Sequence, residues 1–338
     1  MYSDIPFWLS LVYMLGGFFL LAWSSDRFID SAAVVARALG ISPFIIGILV
    51  IGFGTSAPEL FVSAMSGISG HAGISLGNAY GSCVFNIAVI LGVAAMIFPL
   101  AADPRKTVPA GLLLFAISAL SWFLLRDGTC SRADALVLLA LFVVIMPLYC
   151  WFDRKTKPAF DGGDGGDDGG ERRRRRRRRG LAGSVFWLFA SLAVLVLSSH
   201  LLVHGAVDFA RRVGVSDLLI GLTIVAVGTS LPELASAIQS ARKGEHEFVL
   251  GNIIGSNLFN TLAVVGIATG IAPTSDFSPA IATRDLPLVM ALSLSIPVLG
   301  LNFAKPSATG AYARGKALFW ILAYAAYAVV MAMGELSR

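Results

Sequence analysis

Two carboxylates, Glu59 and Glu233, sit in copies of one short motif, and each copy lies inside a long apolar stretch. Gly54-Thr55-Ser56-Ala57-Pro58-Glu59-Leu60 returns 174 residues later as Gly228-Thr229-Ser230-Leu231-Pro232-Glu233-Leu234. A second block repeats at the same offset. Leu76-Gly77-Asn78-Ala79-Tyr80-Gly81-Ser82-Cys83-Val84-Phe85-Asn86 is answered by Leu250-Gly251-Asn252-Ile253-Ile254-Gly255-Ser256-Asn257-Leu258-Phe259-Asn260. Gly40 and Ser42 match Gly214 and Ser216, and Gly92 matches Gly266, so the unit aligns without a gap. Ionisable groups at membrane depth are costly and mark ion paths, and a duplicated pair of them points to ion transport.

Within 52–60 read as a helix, Thr55 and Glu59 are four apart and Ser56 and Glu59 three apart, so their side chains share one face. Pro58 cannot donate a backbone hydrogen bond to the Gly54 carbonyl, and its ring pushes that turn open; Pro232 does the same to Gly228. The carbonyls freed near Gly52, Gly54 and Thr55 become candidate ligands. Such a break is tolerated at membrane depth only where it lines a cavity or is buried in protein. In the second block Ser82 and Asn86 are four apart, as are Ser256 and Asn260, so hydroxyl and amide oxygens point the same way. Gly77 and Gly81, like Gly251 and Gly255, have the spacing that lets membrane helices approach closely.

These donors are hard oxygens, which suit calcium, magnesium or sodium, and no His lies in either block to favour zinc or copper. Calcium accepts six to eight oxygens in a flexible shell, whereas magnesium demands a tighter octahedron or retained waters. The doubled Thr and Ser supply neutral oxygens of the kind dehydrated sodium needs. A lone membrane glutamate can be a mere helix–helix hydrogen-bond partner, but recurrence of the whole motif with its partner block argues for a site. Asn86 and Asn260 stay open between ligand and interhelical glue, and Asn78 and Asn252 read as packing or capping residues. Asp26 and His200 occupy matching positions outside the site, where gating, a neighbouring partner or contact with water would each account for them.

The elements that position these residues are membrane helices. The 338 residues are 56% AVILMFWYC and 14% charged, with a mean hydropathy of +0.77; a soluble domain carries about 25% charged residues. Apolar runs are long enough for spans of ~20 residues and lack the alternation of an outer-membrane barrel. Ten spans are predicted, at 7–37, 43–67, 75–99, 107–125, 133–152, 183–210, 216–241, 248–272, 284–303 and 315–335. Asp4 and the missing basic n-region argue against a cleaved signal peptide, so the first span reads as structural. Cys83, Cys130 and Cys150 form no metal or disulfide framework.

Assigning loops alternately puts nineteen basic residues on one side and six on the other. Positive charge stays cytoplasmic, so both termini are expected outside and the central loop inside. Two tandem units of five spans each must insert in opposite senses, which predicts an inverted-topology pair with broken helices at the midplane. The expected organisation is a first repeat at 1–152, a disordered linker at 153–182 and a second repeat at 183–338. The linker runs from Gly- and Asp-rich residues 161–171 into Arg172 to Arg179. It reads as a tether and topology determinant, with anionic headgroups a further partner for the Arg tract. Its Gly/Asp run has neither the EF-hand glutamate nor a sustained nonapeptide period.

At these residues the chain resembles the calcium/cation antiporter superfamily, specifically the prokaryotic sodium/calcium exchanger type, over nearly its whole length. The paired motifs at 47–92 and 221–266 carry the resemblance. It implies that Glu59 and Glu233 are the central carboxylates, that Thr55 and Thr229 supply carbonyl and hydroxyl oxygens, and that Ser56, Ser82, Ser230 and Ser256 are hydroxyl ligands. Gly52 and Ala226 would offer carbonyls to outer sodium sites, with Asn86 and Asn260 at the middle. It also implies alternating access by the first and sixth helices sliding over the core. Archaeal exchangers of this type and the potassium-dependent class carry Asp at the position of Asn260, which argues against potassium coupling. Thr-Ser in both motifs favours sodium over protons. The resulting expectation is a calcium–sodium antiporter of a prokaryotic inner membrane, not an enzyme, working as a monomer without a cofactor. A proton/calcium antiporter on the same fold, and less so a calcium-selective channel, are the rival readings.

Overall fold

A computed structural model of the chain describes residues 6–68, 72–98, 100, 103–155, 170–213, 226–275, 277–300 and 310–336. Among them there is no β-strand, only an isolated bridge pairing Cys130 with Thr274. Seven helices are long and apolar enough to cross a membrane, and a bent pair makes an eighth span. The seven are Phe7–Leu39 (α1), Gly73–Ile97 (α4), Pro104–Leu125 (α5), a segment of Arg132–Lys155 (α6), a segment of Gly170–Arg212 (α7), His246–Ile271 (α9) and a segment of Gly310–Leu336 (α11). The bent pair is Pro43–Thr55 (α2) and Ala57–Ile68 (α3). Leu231–Arg242 (α8) and Leu286–Gly300 (α10) complete the set. The expected spans 216–241 and 284–303 run into residues outside the described ones.

Local signals set the first of these boundaries. Gly40 adopts a left-handed backbone (φ 65°) and its N–H returns to the Ala36 carbonyl, closing α1. Ser42 then caps α2 by accepting from the Ile45 N–H, with Pro43 in the first turn where its missing donor costs nothing. The matching Gly214 and Ser216 lie outside the described residues.

Burial sorts the helices into a core and a periphery. The apolar window of α9 is buried throughout and that of α4 largely so, as expected of helices that are hydrophobic all round. In contrast, α1 and α7 pack along one another and turn Phe18, Phe19, Phe186 and Phe189 outward, toward lipid. Their close approach depends on glycine: a Cβ on Gly17 would lie 2.7 Å from Leu202 N, and one on Gly205 would lie 2.6 Å from the Ser10 carbonyl oxygen. Ser10 also donates to Asp208, which pairs with Arg212 at 2.7 Å.

Two features depart from the sequence-based expectation. The linker was predicted disordered over 153–182, yet 153–155 belong to α6 and 170–182 to α7; residues 156–169 lie outside the described ones. Arginine is a good helix former, and extending an existing helix escapes the nucleation cost, so the tract continues α7 despite its charge. At 43 residues α7 is about 64 Å long, twice the ~30 Å hydrocarbon layer. The second departure is a set of π-helical turns, including Gly47–Gly52, Asn86–Leu91 and Asn260–Val264. The last two begin at repeat-matched asparagines, and π turns often mark functional sites.

Candidate cation site

The first motif breaks its helix at Ser56, between α2 and α3, with a bend of 45°. Ser56 leaves helical geometry (φ −82°, ψ 8°), and Ser230 does the same in the second motif (φ −93°, ψ 11°). Each break falls two residues before the proline that lacks the donor to continue the ladder. A continuous helix over 52–60 is therefore replaced by two segments. Thr55 does not reach Glu59; its hydroxyl donates to the Ile51 carbonyl at 2.9 Å and to Asn252 Oδ1 at 3.3 Å.

The breaks let each motif reach the other half. Ser56 Oγ donates to Glu233 Oε1 at 3.0 Å, and Ser230 Oγ donates to Glu59 Oε1 at 3.2 Å. This reciprocal exchange joins residues more than 170 positions apart and encloses both carboxylates, with Glu59 and Glu233 fully buried. Ser82 Oγ accepts from Ser230 at 3.5 Å. The Nδ2 groups of Asn78 and Asn252 stay in their own halves, each donating to the backbone carbonyl of the glutamate 19 residues earlier, Glu59 at 3.4 Å and Glu233 at 3.2 Å, while Asn252 Oδ1 accepts from Thr55 across the halves.

The remaining predicted residues gather around this pair unevenly. Ser256 Oγ donates to the Gly52 carbonyl at 3.2 Å, which also accepts the Ser56 N–H at 3.2 Å. Asn86 Nδ2 donates to Asn257 Oδ1 at 3.2 Å, and Asn260 is buried beside them on α9. Thr229 precedes Ser230 at the second break, and Ala226 opens the short helical stretch Ala226–Gly228. Asp26 stands apart, paired with Lys243 at 2.9 Å; that ammonium also reaches Asp30 at 2.7 Å and ties α1 to the end of α8. His200 is exposed.

Several buried oxygens are left over. Among the described residues Glu59 Oε2, Glu233 Oε2, Asn86 Oδ1 and Asn260 Oδ1 have no hydrogen-bond partner. Native interiors pair nearly all such atoms, so the unpaired carboxylate oxygens fit a ligand that takes electron pairs; Thr229 Oγ1 and the NH2 groups of Asn257 and Asn260 are unpaired as well. The acceptors are all oxygens and include those of two carboxylates, which suits a hard cation as cargo. No group of three or more His, Cys, Asp and Glu side chains forms among the described residues, so this site relies on its two carboxylates and neutral oxygens. Sequence reasoning missed Asn257. Its one visible signal is that Cys83 holds the matching position, where the two blocks differ in polarity.

The serine–glutamate exchange makes a direct prediction. Hydrogen bonds to charged groups contribute about 1.5–3 kcal/mol, so Ser56→Ala and Ser230→Ala should each raise the KM for calcium roughly ten-fold or more. Calcium-45 uptake into proteoliposomes at varied calcium measures this, and unchanged KM in both variants would contradict it.

The family profile described as "Sodium/calcium exchanger protein" matches residues 9–151 and 183–333. A protein of Alkalimonas amylolytica named as an antiporter, CaxA, is 40% identical over 294 residues, covering 87% of this chain and 90% of that one. The sodium/calcium exchanger MaX1 of Methanosarcina acetivorans is 31% identical over 317 residues, covering 84% and 89%. A solved structure of the sodium-calcium exchanger NCX_Mj superposes with a TM-score of 0.79 at 27% identity, over 98% of this chain and 99% of that one. With two matching halves, a common motif pair and a shared fold, this multi-pass membrane protein belongs to the sodium/calcium exchanger family of cation antiporters.

Proposed function

We propose that the chain exchanges calcium for sodium by alternating access at a single shared site between its two halves. The observation that carries this reading is the reciprocal Ser56–Glu233 and Ser230–Glu59 bonding, which leaves one oxygen of each buried carboxylate unpaired. Two buried carboxylates are expensive unless their charge is met. One calcium or a pair of sodium ions meets it, and both loads together would leave large excess positive charge. The two cargoes therefore take turns, and only a neutralised core lets the peripheral pair α1 and α7 cross it.

In this reading Glu59 and Glu233 hold calcium with oxygens from Thr55, Thr229, Ser82, Ser256, Asn86 and Asn260. Ser56, Ser230 and the carbonyls of Gly52 and Ala226 complete the sodium positions. The halves are 1–152 and 183–338, inverted with respect to one another, and the profile match also skips the segment between them. The basic-residue bias puts that segment in the cytoplasm and both termini outside, in a prokaryotic inner membrane. The protein works as a monomer, with Arg172 to Arg179 resting on anionic lipid.

Calcium-45 flux into proteoliposomes tests this. An outward sodium gradient should drive calcium uptake, and a pH gradient of equal size should not. Uptake driven by pH alone would instead identify a proton/calcium antiporter on the same fold. Calcium conductance without any counter-ion would identify a channel.

A further inference from the structure

Among the positions where the two second blocks differ in polarity, Cys83 in the first half stands where Asn257 stands in the second. Asn257 is buried on α9 next to Ser256 and three residues before Asn260. Its Oδ1 accepts from Asn86 Nδ2 at 3.2 Å, while Asn86 Oδ1 and Asn257's own Nδ2 have no partner among the described residues. A primary amide has two opposed ends: the oxygen binds a cation, and the NH2 group repels one. The torsion that exchanges them is broad and nearly two-fold, so something must choose which end faces the cargo. For Asn86 that choice is made by an acceptor that takes its NH2 group.

Asn260, the repeat mate of Asn86, lacks this. Its neighbour by symmetry is Cys83, whose Sγ lies 3.8 Å from the Asn257 carbonyl oxygen and 3.7 Å from Thr261 Oγ1. Both amide atoms of Asn260 are without a partner among the described residues. A thiol is a weak acceptor and cannot orient an amide as a carbonyl oxygen does.

We propose that Asn257 is a positioning residue for cation binding, which holds the Asn86 NH2 group so that the Asn86 carbonyl oxygen faces the transported ion, while Asn260 is left free to turn. This deepens the proposed function and rests on its placement of Asn86 among the ligands. The lock makes the site asymmetric: one amide oxygen is always presented, and the other turns to match whichever cargo is bound.

The test is calcium-45 uptake at fixed sodium gradient with calcium varied. Asn257→Cys copies the side chain that the fold already accommodates at Cys83, and Asn257→Leu removes the acceptor altogether. Both should raise the KM for calcium about ten-fold, as expected for losing one oriented bond to a charged ligand, with the maximal rate within about two-fold of the parent. In an Asn86→Ala background, Asn257→Cys should add nothing further, because the group it orients is gone.

Equal KM rises in both backgrounds would overturn the lock, as would parental KM in both Asn257→Cys and Asn257→Leu. A parental KM in Asn86→Ala would overturn it too, by removing Asn86 from the ligands. Sodium-driven uptake by the unaltered protein in the same vesicles reports separately on the exchange reaction, so failure of the lock and failure of the proposed function give different results.

Discussion

Glu59→Gln and Glu233→Gln should each abolish sodium-driven calcium uptake while leaving the protein folded and at least as heat-stable as the parent. Glutamine keeps the volume of the side chain and an oxygen to accept from Ser230 or Ser56, so the reciprocal bonding survives. What it removes is one of two charges facing the cation. A unit charge pair at 4 Å interacts by about 4 kcal/mol at an effective dielectric of 20. That is roughly a thousand-fold in affinity, and a divalent ion loses more. The stability should move the other way, since a neutral amide costs less to bury than a carboxylate beside its twin. Calcium-45 flux and a thermal melt in detergent separate the two effects. Retained flux in either variant would remove that glutamate from the site, whereas lost flux with a Tm far below the parent would mark a folding defect.

That opposition between function and stability also explains which parts of the site could be read from the sequence. Glu59, Glu233 and the prolines that follow the breaks are legible because each violates a rule for apolar helices, and a violation kept twice at one spacing must serve something. The position of each break was less legible. Pro58 points to the Gly54 carbonyl, but the backbone departs from the helix at Ser56, where the turn preceding the proline has room to open. Helical spacing places Thr55 on the face of Glu59; the bend removes it and gives its hydroxyl to Asn252.

Contacts between the halves were the least visible. No periodicity within one repeat says that Ser56 serves Glu233 rather than Glu59, since that pairing exists only after the two units have docked. Asn78 and Asn252, read as packing residues, do connect helices, and they do so through the backbone carbonyls of the two glutamates. Asn257 was hidden by the repeat itself. Alignment of the blocks draws attention to residues that match, and this one acts through a position where they differ. The Arg tract illustrates a different limit: the sequence presents it as part of a linker, and only the adjoining membrane helix makes its helical continuation inexpensive.

Docking of the halves also depends on residues with no side chain. A Cβ at Gly255 would lie 2.5 Å from the Ile48 carbonyl oxygen and 2.6 Å from Ile48 Cα, and one at Gly251 would lie 2.4 Å from the Phe44 carbonyl oxygen. From the facing side, a Cβ at Gly52 would lie 2.8 Å from Ser256 N. All of these neighbours are backbone, so no rotamer change relieves the clash, and the helices must part by about 1 Å to restore carbon contact distances. The displaced segment is α2, which carries the Gly52 carbonyl, Thr55 and Ser56 into the site. A misplacement of about 1 Å can cost a hundred-fold in rate. Gly255→Ala should accordingly reduce calcium exchange by about two orders of magnitude and lower the Tm, with overpacking costing about 1–3 kcal/mol. Gly270→Ala, on the same helix α9, supplies the contrast. Its Cβ would meet only Ala135 Cβ, at 3.7 Å, an ordinary contact. Helix propensity then dominates and favours alanine by up to about 1 kcal/mol, so this variant should exchange calcium normally with an equal or higher Tm. Parental turnover in Gly255→Ala would mean that the two halves tolerate separation, and the exchange of serines between their glutamates could not then be what holds the site.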